Sequence, residues 1–167
     1  MAEHWLNEME EEYGDRRSRG WEYGWGKDGQ VSEISGRRQI DCSHLLNRGL
    51  KKQGFNIPYE RTSALRNSDY FDPVTRDNLK KGDIVLYDEH AGFYYGKDYE
   101  TGRDLIYSSA GSRDRGGRGP SIDPADGFKG FIKYMRPKEK YLSKEKREAS
   151  DAEELKFLWQ ILPGGMH

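Results

Sequence analysis

The sequence predicts an α+β domain in which one helix packs on an antiparallel sheet, and three observations carry that prediction. First, Asp41 is a good N-cap, and Cys42, Leu45, Leu46, Gly49 and Leu50 then fall on one face of a helix that Gly54 ends. Second, residues 83–87, 91–96, 104–109 and 128–135 are short runs rich in Ile, Val, Leu, Phe and Tyr. Third, turn signals such as Lys81-Gly82 and Thr101-Gly102 separate these runs by short connections. Sequential strands joined in this way form hairpins and pair antiparallel.

The remaining elements fit around this frame. Trp5, Leu6, Met9 and Tyr13 recur at near-helical spacing among acidic residues and predict a short amphipathic helix ending near Gly14. Residues 15–40 are rich in Gly, Arg and Ser and read as a loop pinned by Trp21, Tyr23 and Trp25. Gly49 inside the main helix predicts close approach of a neighbouring element. Residues 56–77, with Pro58 and Pro73, read as an irregular connection holding one helical turn. Residues 111–127 are Gly- and Arg-rich and read as a surface loop. Beyond Pro137 a lysine-rich stretch leads to Ser150 and Glu153, a capping box for a last helix whose face of Leu155, Leu158, Trp159 and Leu162 must bury against something. The expected division is a domain over residues 1–136 and a linker with a helix over residues 137–167.

Composition narrows the class of function. The 167 residues suit one compact domain with its own core. With 28 basic against 29 acidic side chains, the net charge of −1 selects neither nucleic acid nor an anionic membrane. No apolar run approaches the roughly 18 residues of a membrane span, and residues 1–15 are acidic, the wrong sign for a secretory signal. The single cysteine, Cys42, forms no intramolecular disulfide. It is either buried filler or chemistry.

As the first helical residue after an Asp cap, Cys42 is expected where free amides and the helix dipole favour an anion, which lowers a thiol's pKa. A neighbouring imidazole completes a thiolate nucleophile and its base. His4 and His167 lie near the ends, and His44 falls on a different side of the helix. His90 begins the run Ala91-Gly92-Phe93-Tyr94-Tyr95, either as a strand-borne base or as an exposed turn histidine.

In order along the chain stand Tyr23-Gly24-Trp25-Gly26, Asp41-Cys42-Ser43, Ile57-Pro58 with Arg61-Thr62-Ser63, Leu79-Lys80-Lys81-Gly82-Asp83-Ile84-Val85, His90-Ala91-Gly92-Phe93-Tyr94 and Ile106-Tyr107-Ser108-Ser109. Each motif is weak alone; together, over residues 20–136, they resemble the NlpC-type cell-wall peptidases. The resemblance implies a papain-like fold, with Cys42 as nucleophile and His90 as base. Tyr23 matches the tyrosine beside the nucleophile that shapes the substrate site. Asp41 and Ser43 match the residues flanking the cysteine, which also suit helix capping. An amide at the helix start, that of Cys42 or a neighbour, is the implied oxyanion donor. The third catalytic position, which orients the histidine, aligns with Tyr107, and Ser109 or water is the alternative orienter. His44 stands where the family has glycine, and residues 27–40 and 97–103 are longer than usual.

By the same resemblance the substrate is an amide bond of peptidoglycan, between D-glutamate and diaminopimelate or in the cross-bridge. The arginines at 103, 113, 115 and 118 either meet its carboxylates or keep their loop solvated. No metal or other cofactor is implied. A wall hydrolase of this composition resembles an antibacterial effector of type VI secretion, made in the cytoplasm without a signal peptide and acting in the periplasm of a target cell. Its expected partners are a secretion carrier and an immunity protein. The alternatives are a phage lysin, a protein-directed acyltransferase or isopeptidase, and a non-catalytic wall-peptide binder.

Overall fold

A computed structural model describes residues 4–14, 20–112 and 116–161. In chain order the elements are α1 (His4–Tyr13), β1 (Glu22–Tyr23), β2 (Asp28–Val31), β3 (Arg38–Ile40), α2 (Cys42–Gln53), α3 (Thr62–Leu65), β4 (Phe71–Val74), β5 (Ile84–Tyr87), β6 (Ala91–Lys97), β7 (Asp104–Ser112), β8 (Gly116–Pro124), β9 (Phe131–Pro137) and α4 (Lys144–Ile161). The main sheet has six strands in the order β4-β9-β5-β6-β7-β8, every pair antiparallel. A small sheet of order β1-β3-β2 lies upstream of α2.

The expected helix over Cys42 forms because its ends are chemically specified. Asp41 is its cap, accepting the His44 N–H, and Gly54, at φ 97, ends it in the left-handed region that glycine tolerates. Its apolar face, Leu45, Leu46, Gly49 and Leu50, is buried against one face of the sheet. There it meets Ile84, Leu86, Ala91, Phe93, Tyr107 and Met135, with Leu6 and Met9 of α1 closing the layer. Strand alternation turns Val85, Tyr87, Tyr94 and Ile106 to the opposite face, where a second, smaller cluster gathers. Gly82 and Asp83 set the start of β5. Gly82 takes φ 98 under the Trp5 ring, and the buried Asp83 carboxylate accepts the Lys80 N–H at 2.7 Å and the Arg136 guanidinium at 2.6 and 2.8 Å.

Four expectations are corrected. Residues 15–40 hold a parallel pair, β1 with β3, and a β2–β3 hairpin, in addition to turns. Residues 111–127, read as a loop, supply β8, which pairs with β7 from Leu105↔Pro124 to Ser112↔Gly116. Pro120 and Pro124 withhold amide donors, but β8 is an edge strand with only one neighbour, where that omission is tolerated. The last helix starts at Lys144, so position 150 lies inside it and does not cap it. The chain before it is tied to the end of α2 by Asn56 N–H to Tyr141 O and Ser143 N–H to Gly54 O. Leu155, Leu158 and Trp159 nonetheless stay exposed, at 68%, 45% and 54%, so the expected burial of that face is not met among the described residues. Leu162 lies outside them.

The close approach expected at Gly49 is present: a Cβ there would overlap the ring of Phe93, which is fully buried and packed edge-on against Trp5 at 4.8 Å. Alanine gains about 1 kcal/mol of helix propensity, whereas overpacking costs about 1–3 kcal/mol. Gly49→Ala is therefore expected to lower the urea midpoint, and adding Phe93→Leu to restore part of the loss.

Candidate active site

Three structural elements converge at the start of α2. The β1–β3 pairing sets Tyr23 across from Ile40, the residue before Asp41. From β7, the Ser109 hydroxyl donates to the Ile40 carbonyl at 2.7 Å and fastens this junction to the main sheet. The Asp41 carboxylate does the rest: Oδ1 accepts the His44 N–H at 2.9 Å and the Ser43 hydroxyl at 3.2 Å and meets His44 Nδ1 at 2.7 Å, while Oδ2 accepts the Gly26 N–H at 2.9 Å. The position of Cys42 is thus fixed from both sides of the chain.

The partly buried thiol lies 3.6 Å from Thr62 Oγ1 and takes the backbone N–H of Ala91 at the start of β6. The residue before that amide is His90. Its Nε2 lies 2.9 Å from Ser108 Oγ, and Phe128 stacks on the ring with centroids 4.2 Å apart and planes 8° apart. Nδ1 makes no hydrogen bond among the described residues. If Nε2–H is the donated proton, the Nδ1 lone pair is left to receive one.

Both groups are held uncharged at rest. Burial pushes the Cys42 thiol up, and the neighbouring Asp41 charge adds to the rise against the opposing bonds from Thr62 and Ala91. Burial also brings His90 down to about 4, against a smaller upward pull from Asp123 and a downward push from Arg118. The thiol lowering expected at a helix start is reversed, chiefly because the sulfur is buried, with the anionic cap beside it adding to the rise.

The other sequence-predicted residues are placed as follows. Tyr107 does not meet His90. Strand alternation turns it to the α1 side of the sheet, where its fully buried hydroxyl donates to the Gly14 carbonyl at 2.9 Å and lies 3.4 Å from that of Met9. Ser109 shares that direction and holds Ile40, so Ser108, between them, is the imidazole's partner. Motif order does not separate Ser108 from its neighbours: the period of two along Ile106-Tyr107-Ser108-Ser109 puts Ser108 on the face opposite Tyr107 and Ser109, and the register Phe93↔Tyr107 decides which face meets the imidazole. Gly92 keeps room for that partnership, since a Cβ there would come within 2.6 Å of Ser108 Cβ. Ser43 is buried and lies 2.7 Å from the Tyr59 hydroxyl, and His44 stacks on Tyr59 at 4.1 Å. Of the four arginines, Arg103 pairs with Asp126 and Arg118 with Asp123, while 113 and 115 lie outside the described residues. No group of three or more His, Cys, Asp or Glu among the described residues is arranged to hold a metal ion, and no described helix is long and apolar enough to cross a membrane.

A helix with a cysteine at its start, packed on an antiparallel sheet whose strand begins beside a histidine, defines the papain-like α+β class. Within it the chain belongs to the NlpC/P60 family, whose sequence profile matches residues 20–111, more than half its length. Members are usually cysteine peptidases of peptidoglycan, though some are non-catalytic. The P60 domain of an antigen from M. avium subspecies paratuberculosis is similar at TM-score 0.57 and 18% identity, over 81% of this chain and 93% of that one. A second P60 domain, from another M. avium paratuberculosis antigen, gives 0.53 and 15% over 82% and 92%. RipD from Mycobacterium tuberculosis, described as a non-catalytic NlpC/p60 domain protein adapted to peptidoglycan binding, gives 0.52 and 16% over 80% and 94%. No curated protein matches the chain.

Two measurements follow from the resting charges. Iodoacetamide alkylation of Cys42, the only thiol, is expected to be slow at neutral pH and to rise only above the ordinary thiol range of about 8.5. For His90 the folded value, about 4, lies below the ordinary 6.5, so the unfolded chain binds the extra proton between the two. Stability from this group is complete above 6.5 and falls as pH drops toward 4, by about 3 kcal/mol in all. The stability difference between the wild type and His90→Gln, followed by urea titration, is expected to shrink over that interval.

Proposed function

We propose that the protein is a cysteine peptidase that hydrolyses an amide bond in peptidoglycan stem peptides or cross-bridges. The observation carrying this reading is the thiol of Cys42 held by the Ala91 amide, next in the chain to an imidazole whose Nε2 is fixed by Ser108 and whose Nδ1 is left open. As the sulfur attacks the carbonyl carbon, its proton passes to Nδ1 of His90, so the nucleophile forms during attack and not before it. The carbonyl oxygen takes up negative charge at the helix start, where the Cys42 N–H precedes the first bonded turn. His90 then protonates the leaving amine, and water, activated by the same imidazole, releases the acyl group from sulfur. Ser108 acts through His90 as a positioning residue, Asp41 and Ser43 hold the cysteine, and Tyr23 borders it. Folding without a disulfide suits manufacture in one cell and action in the periplasm of another, as an effector with a secretion carrier and an immunity protein for its cleft.

Purified sacculi test this directly. Cys42→Ala is expected to keep the fold by circular dichroism and to release no new amines, whereas Ser108→Ala is expected to lower turnover roughly tenfold or more. Unchanged amine release by Cys42→Ala overturns the reading. The raised thiol supports a second reading, a wall-peptide binder, for which the wild type sediments with sacculi but releases nothing.

A further inference from the structure

The sixth strand, read from sequence as a loop, places a buried carboxylate on His90's side of the sheet. Ser108 carries no charge, so its bond fixes the direction of the imidazole but offers little to an imidazolium, which this partly buried site disfavours. Across the β7–β8 ladder Ser108 is paired with Ser121 and Ile106 with Asp123. Paired residues share a face, as do residues two apart on a strand, so Ser108, Ser121 and Asp123 all point to the side on which His90 lies. Asp123 is 5% exposed, accepts the Ser121 hydroxyl at 2.6 Å on Oδ2, and is ion-paired to Arg118 at 3.1 Å on Oδ1. Arg118 itself is exposed, which leaves its charge screened by water while that of Asp123 is not.

We propose that Asp123 is a positioning residue that sustains the positive charge formed on His90 during turnover, with Ser121 and Ser108 setting its distance and direction. The inference rests on the peptidase reading for its purpose but not for its test. During attack, the proton leaving Cys42 creates an imidazolium between Phe128 on one ring face and the sheet, and the carboxylate of Asp123 is the buried anion whose field favours it. Of the other groups around the ring, Arg118 opposes the charge, Tyr87 is a neutral phenol raised by burial, Phe128 is apolar, and Asp88 and Glu89 of the preceding turn are exposed. The pair Asp123 and Arg118 therefore sets the field with opposite signs. A carboxylate present only to satisfy Ser121 and Arg118 has no such signature at His90.

The test is an NMR titration of His90 in the full chain, its resonance identified by its loss in His90→Gln. Asp123→Asn keeps the acceptor for Ser121 and is expected to lower the His90 midpoint; Arg118→Gln removes the opposing charge and is expected to raise it. On sacculi, Asp123→Asn is expected to lower kcat roughly tenfold with KM little changed. A His90 midpoint that stays put in a folded Asp123→Asn and in Arg118→Gln overturns the inference, whether or not the protein hydrolyses anything. If Asp123→Asn does not fold, the sign of the Arg118→Gln shift decides alone, a rise supporting it and no rise overturning it. Wild type inactive on sacculi, with both midpoints moving as stated, would instead remove the peptidase reading and leave the coupling standing.

Discussion

The carboxylate of Asp41 is the constraint on which the rest of the site depends. Four donors reach it from the turn after β1 and from the first helical turn, so one side chain both starts α2 and ties the small sheet to it. Removing it would free the Gly26 amide and the cap together, and Cys42 would lose its fixed approach to Ala91. The same charge works against the sulfur it positions, because an anion beside a thiol opposes a second anion. Burial raises the thiol most, and the charge that positions the sulfur adds to that rise.

The two faces of the sheet divide the candidate site between them. The α2 face carries Cys42 and packs the core, while the opposite face, with Tyr87, Phe128 and the polar residues of β7 and β8, surrounds the imidazole. A thiolate and imidazolium pair formed in advance would need both charges stabilised at rest. The site favours neither charge, since burial raises the thiol and lowers the imidazole.

The helix of Cys42, the strands from Ile84 to Leu105 and the close approach at Gly49 were legible in the sequence because local signals agreed with tertiary packing: a cap, an alternation, a glycine facing a ring. The candidate site was legible as far as the placing of Cys42 at the start of α2 and of His90 before β6, whose neighbours carry recognisable motifs. Ser108 was not, since choosing between it and its two neighbours needs the register Phe93↔Tyr107, which the hairpin between them determines and no motif records. β8 was not, since a strand dominated by glycine and proline has the composition of a loop and takes its order from pairing with β7. Asp123 was hidden for the same reason. The apolar end of α4 misled in the other direction, because an apolar face predicts burial only when another element is placed to cover it.

The strand order has a consequence in time. β9, the last strand made, lies between β4 and β5, so those two strands are joined only after residues 131–137 exist. During synthesis the cysteine emerges first, the histidine some fifty residues later, and the strand bearing Asp123 later still. Until β9 inserts, β5 presents an open edge and the layer beneath α2 is incomplete. A chain cut short before that point carries its thiol without the framework that positions it, so the geometry around Cys42 is completed only when the final strand is in place.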